Sequence, residues 1–155
     1  MALLLAPRPL EARRAPTRPG PIEVQEMGGR APAATEALRA RMREQVARHV
    51  RALADARLLT SPQGYVVDGS IDNLQIADRP DGLDVTCGVR LILSARRSGA
   101  MLAMTSGEAS LRAHRGQKPA TRERELERLI NEVLDGAVRA ASDELLLHFQ
   151  ARRKS

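Results

Sequence analysis

The chain has 155 residues, 43% hydrophobic and 28% charged, which suits one packed domain plus a tail and excludes wholesale disorder. Tyr65 and Phe149 are its only aromatics and Trp is absent, so base-stacking platforms, aromatic cages and carbohydrate-stacking clefts lack their rings. The net charge is +6, and 23 of the 25 basic residues are Arg, a bias that reads as GC-rich genome composition before it reads as Arg chemistry.

Six of the nine prolines fall in the first 32 residues, which together with Arg13, Arg14 and Arg18 predicts a Pro/Arg-rich leader over 1–30. The run Met1 to Ala6 lacks both the basic start and the length of a secretory apolar segment. No apolar run reaches the roughly 20 residues of a membrane span. The compartment then depends on the true start: periplasmic or outer-membrane-associated if it encodes an export signal, cytoplasmic otherwise. Within the leader, Ile22 to Met27 alternates apolar and polar, and predicts a short edge strand over 22–27.

A helix is expected from Pro32–Thr35 to about Leu58, with Leu38, Met42, Val46, Val50 and Leu53 on one stripe. Residues 30–59 hold seven Arg against three acids, and Arg41, Arg48 and Arg51 are placed opposite the stripe. Three strands follow. In the first, Tyr65, Val67, Gly69 and Ile71 share a face; the parity then changes, and a bulge near Asp72-Asn73 would return Leu74 and Ile76 to the core. After the turn at Asp78 to Gly82, Leu83 to Arg96 alternates throughout, the mark of a sheet buried on one face and wet on the other. The third strand, about Ala100 to Ala113, again changes phase, and Gly107 is the expected bulge. Without the two bulges, Leu74, Ile76, Leu102 and Met104 would lie outside with Ile92.

A long helix is predicted from Thr121 to Gln150, with Glu123, Glu125 and Glu127 in its first turns. Leu126, Ile130, Leu134, Val138, Ala141, Leu145 and Phe149 form its stripe, widened by Leu129, Val133 and Ala137. Gly136 sits mid-helix among alanines at a cost of about 1 kcal/mol relative to Ala, which implies close approach to the sheet. A basic tail occupies 151–155. The expected fold is therefore α+β and two-layered: an antiparallel sheet of three to four strands, two helices on one face, order (β)-α-β-β-β-α, forming one domain over 31–150.

Catalytic patterns are missing. Asp68, Asp72, Asp78, Asp81 and Asp84 do not have calcium-loop spacing, and His49, His114 and His148 are scattered over three elements. Gly28-Gly29 lacks the Lys and Ser/Thr of a phosphate loop. Cys87, the only cysteine, falls on an inward strand position as a small core hydrophobe. No enzyme, cofactor or metal is expected.

Several segments carry a resemblance: Gly64 to Ile71, Val85 to Ser94, Gly99 to Leu102 leading to Ser106-Gly107-Glu108, and Leu134 to Ala141. Over residues 62–150 the pattern resembles a superfamily of bacterial envelope α+β domains. It includes the penicillin-binding-protein activator lipoproteins, the curli secretion lipoprotein and the N-terminal domain of the Tol-system propeller protein. The resemblance implies a non-enzymatic envelope protein that docks on other proteins; the family's lipobox Cys and export signal have no counterpart in the sequence given.

Two functions follow as expectations. The first is a protein-docking module that binds an envelope component through the wet sheet face, using Arg90, Ile92, Leu102 and Met104. The alternative is nucleic-acid binding through Arg41, Arg48 and Arg51 of the first helix with Arg152, Arg153 and Lys154 of the tail. The strands, at five Arg against six acids over 62–113 and without exposed rings, speak against it. Oligomeric state stays open.

Overall fold

Residues 22–55, 62–114 and 119–153 are described by a computed structural model of the chain. The leader up to residue 21, the expected helix end at 56–58 and Lys154 lie outside the described residues. In chain order the elements are β1 (Ile22–Val24), β2 (Gly28–Gly29), α1 (Glu36–Asp55), β3 (Tyr65–Arg79), β4 (Gly82–Ala95), β5 (Met101–His114) and α2 (Pro119–Arg153).

The long strands meander as expected: β3, β4 and β5 pair antiparallel in sequence order. Among the described residues the sheet is mixed, with five strands, because β1 and β2 both run parallel to β3 on its far edge. A 20-residue helix separates these strands from β3, and a helical crossover returns the chain in the same direction. Of the edge strand expected over 22–27, Ile22–Val24 forms, and a second short piece follows beyond that span at Gly28–Gly29, with buried Met27 between them. Helix α1 starts at Glu36, directly after the expected Pro32–Thr35 start, with the Thr35 hydroxyl accepting from the Leu38 amide at 3.3 Å as an N-cap.

The bulge expected near Asp72 is present: Ile71 pairs with Val89 and Asn73 with Gly88, so Asp72 is the extra residue. It puts Leu74 opposite buried Cys87 and Ile76 opposite buried Val85, on the core side. Leu74 packs against the core, but Ile76 stays 41% exposed on the margin of that face. The second bulge is not at Gly107. It falls at Leu102, since Leu93 pairs with Ala103 and Ser94 with Met101. Leu102 consequently packs partly against the core, while Met104 remains outside at 57% exposure.

Gly107 serves another purpose. A Cβ there would lie 2.1 Å from the Ala137 carbonyl oxygen and 2.5 Å from the Ala141 nitrogen, so α2 rests backbone-first on β5. The small residues of α2 fit this seat: Ala137 and Ala141 are fully buried, and a Cβ on Gly136 would touch that of Ala109 at 3.1 Å. Buried Thr105 donates its hydroxyl to the Ala141 carbonyl at 2.8 Å, which fixes the register of helix on strand. Under α1 the same device recurs at Gly69, whose missing side chain makes room for Met27 and Met42.

The apolar stripes read from the sequence form the core: Met42, Val46, Val50 and Leu53 of α1, and Leu129, Val133, Leu134, Val138 and Leu145 of α2. They close over Val67, Ile71, Val85, Val89, Leu91 and Leu93 of the sheet. The acids near the start of α2 differ in role from expectation. The helix begins at Pro119, so its first turn holds none of them, and Glu125 and Glu132 brace Arg128 one turn on either side.

Gly107→Ala is expected to destabilise the fold by about 3 kcal/mol in denaturant titration through overpacking against helix backbone. Gly88→Ala, whose Cβ would meet only that of Asn73 at 3.4 Å, should cost less than about 1 kcal/mol. Cys87 is 1% exposed, and burial pushes its thiol up to about 11. A disulfide reagent at pH 8 should therefore leave the native thiol unmodified over the time in which unfolded chain reacts completely.

Candidate functional site

The register of β3, β4 and β5 arranges the side chains of the outer sheet face in cross-strand rows. At the end carrying the β4–β5 hairpin, one row runs Glu23, Val66, Ser94, Met101 and the next Asp68, Ile92, Met104. Further along come Ser70, Arg90, Ser106, then Gln75, Thr86, Ser110, and finally Ala77, Asp84, Arg112. This face is polar except at the hairpin end. There Met101 and Met104, 60% and 57% exposed, flank half-buried Ile92 and Val66.

Of the four docking residues read from the sequence, the structure gathers Arg90, Ile92 and Met104 on this face. Leu102 departs from them because the bulge turns it toward the core. Val66 and Met101 were missing from that reading. Met101 reaches the outer face through the bulge at Leu102, which no Gly or Asn marks in the sequence. Arg90 is held in place: its guanidinium meets the Asp72 carboxylate at 2.7 Å, and that carboxylate also accepts the Ser70 hydroxyl at 2.6 Å. The bulge that inserts Asp72 thus also supplies the anchor for Arg90.

The opposite end of the face is charged. Arg112 grips Asp84 bidentately at 2.6 and 3.1 Å, and Arg79 reaches the same carboxylate at 2.8 Å. These groups, with Gln75, Ala77 and Thr86, line a shallow cleft of about 440 Å³. Hydrogen bonding by Arg112, helped by the charges of both guanidiniums, holds the Asp84 carboxyl below its ordinary value.

The basic residues considered for nucleic acid are divided between α1 and the end of α2. Arg41 is half-buried and clamps Asp135 of α2 at 3.0 and 3.3 Å, so it ties the helices to each other. It therefore lies toward α2, not on a free far side of α1. Arg48 and Arg51 are exposed on α1, and Arg152 is exposed near the end of α2. Arg153 ends α2, and Lys154 lies outside the described residues. Among the described residues no cluster of His, Cys, Asp or Glu is arranged to hold a metal, and no helix is long and apolar enough to cross a membrane.

No protein-family profile matches this chain, and no curated protein matches it in sequence. Solved structures do match in shape. A candidate lipoprotein from Caulobacter crescentus superposes with a TM-score of 0.58 at 14% identity, over 83% of this chain and 90% of its own. A Xanthomonas campestris protein of the DUF330 family gives a TM-score of 0.51 at 11% identity, over 86% of this chain and 88% of its own. The fold is shared. At this identity the likeness supports the α+β architecture expected from the resemblance in sequence.

In an NMR titration Asp84 is expected to ionise below its ordinary value near 3.8, and Arg112→Gln should raise the midpoint toward that value. A depressed carboxyl stabilises the fold above its ordinary value and loses that contribution as pH falls through the lowered one. The same substitution should therefore flatten the acid limb of the stability curve, lowering stability at pH 7 and changing little at pH values below the depressed midpoint.

Proposed function

We propose that this chain is a non-enzymatic assembly module of a bacterial envelope that docks on a protein partner through the hairpin end of its outer sheet face. One observation carries the reading: Met101, Met104, Ile92 and Val66 form an apolar patch on a face whose other positions are mostly polar or charged. An exposed apolar group rimmed by polar residues is the usual mark of a protein contact. Methionine suits such a surface because its unbranched side chain refits different partners. The fold shared with a candidate lipoprotein supports the envelope setting, as does the resemblance to the penicillin-binding-protein activator, curli secretion and Tol-associated domains. Nucleic acid is the weaker partner, since the patch carries no cation and Arg41 is committed to Asp135.

A photo-crosslinker replacing Met104 should trap a defined envelope protein, whereas one replacing exposed Leu147 on α2 should not. Adding Ile92→Asp should abolish the crosslink at a cost of about 1–3 kcal/mol, because Ile92 is half-buried opposite Asp68, with the folded state retained by circular dichroism. A crosslink that survives Ile92→Asp, or one that forms equally from position 147, would refute docking through this face. Retention on DNA or RNA at low salt, lost as salt rises, would favour the nucleic-acid reading.

A further inference from the structure

We propose that two copies of this chain pair antiparallel through the second half of β5, joining their sheets into one about a two-fold axis at Ser110. Among the described residues β5 ends the strand order, and its 14 residues have a strand on one side only. Such an edge presents unpaired backbone groups and templates strand addition.

The backbone fixes which residues can take part. The Ser106 amide donates to the Glu144 carboxylate of α2 at 3.4 Å, so it points away from β4. By the alternation of an antiparallel ladder, the amides and carbonyls of residues 108, 110, 112 and 114 face the open edge too. The side-chain contacts agree. Thr86 and Ser110 meet at 2.8 Å, and Arg112 and Asp84 at 2.6 Å, as expected for the closely spaced pairs that exchange no backbone bonds with β4.

A second copy must therefore match even residues with even residues, and charge selects the register. Centred on Ser110, Glu108 faces Arg112 of the second copy and Arg112 faces its Glu108, twice over by symmetry. Centred on Glu108, the two glutamates would oppose each other; centred on Ala109 or Leu111, Glu108 would face Ser110 or His114. Arg112 binds Asp84 through Nε and Nη2, which leaves Nη1 for the incoming carboxylate. On the core side of the same register, Leu111, 37% exposed, falls opposite Ala109 of the second copy and gains cover.

The rest of the edge accommodates this pairing. Exposed Ala140 lies beside Gly107 and Gly136 lies over Ala109, so small side chains border the edge where the helix of a second copy would approach. The Glu144 carboxylate on Ser106 closes the ladder at one end. Three hydrogen-bonded residue pairs remain: 108 with 112, 110 with 110, and 112 with 108. A foreign strand would have to reproduce this reciprocal charge order, which a second copy supplies.

Sedimentation equilibrium of the full chain should show a dimer of twice 16.9 kDa. Glu108→Arg should weaken dimerisation about tenfold or more by opposing like charges, and Arg112→Glu should do likewise. Mixing the two variants should restore a heterodimer, because each then meets its opposite charge. Ser110→Pro removes an edge-facing amide and should give a folded monomer by circular dichroism. A wild-type monomer at every concentration would overturn the proposal, as would a dimer indifferent to Glu108→Arg and Ser110→Pro. Neither result bears on the Met104 crosslink, which reads the outer face.

Discussion

The close seating of α2 on β5 organises the molecule. Because Gly107 has no side chain, the helix backbone between Ala137 and Ala141 reaches the strand, and Thr105 locks it there with a hydroxyl to the Ala141 carbonyl. The small residues Gly136, Ala137 and Ala141 line this seat, while buried leucines and valines of α2 and β4 fill the core around it. A helix held this close to the last strand also lies near the sheet margin, which lets Glu144 reach the Ser106 amide. Core packing and the treatment of the open edge thus arise from one contact.

The two bulges then decide which residues the outer face displays. Asp72 as an inserted residue keeps Leu74 on the core side and delivers its own carboxylate to Arg90. Leu102 as an inserted residue turns itself inward and carries Met101 to the side of Met104. One irregularity builds a polar anchor and the other builds an apolar patch. Both follow from the rule that a shift of one residue exchanges the two faces of a strand.

The fold was legible wherever one period ran unbroken. The alternation of β4 and the stripes of both helices identify nearly the whole core, and the phase change after Ile71, with Asp and Asn beside it, locates the first bulge. The second bulge was misplaced at Gly107 because glycine reads alike as a strand irregularity and as a helix seat. Gly136 and the alanines around it indicated that α2 approaches closely, but not where on the sheet. The parallel edge was missed although its signal was available: a strand, a helix and then an adjacent strand imply a crossover and a shared direction. On the candidate site, Ile92 was visible as a break in the polar phase. Met101 and Val66 were not, since only cross-strand register brings them beside it.

The two edges of the sheet are treated differently, and this gives the molecule a direction. Residues 22–29 close the β3 edge as far as Ile71, and the Asp72 bulge bends the strand just beyond. Among the described residues β5 is capped at Ser106 alone, and it presents Glu108 and Arg112 along the remainder. In the paired arrangement the axis stands perpendicular to the sheet, so both outer faces look the same way. The strand rise from Ser110 to the Met101–Met104 region then separates the two apolar patches by about 50 Å. Weak docking by each patch becomes strong when a partner offers two matching sites at that spacing, because the second contact forms within an already tethered complex. A small exposed patch, insufficient alone for a stable interface, is thus matched to a scaffold that presents it twice.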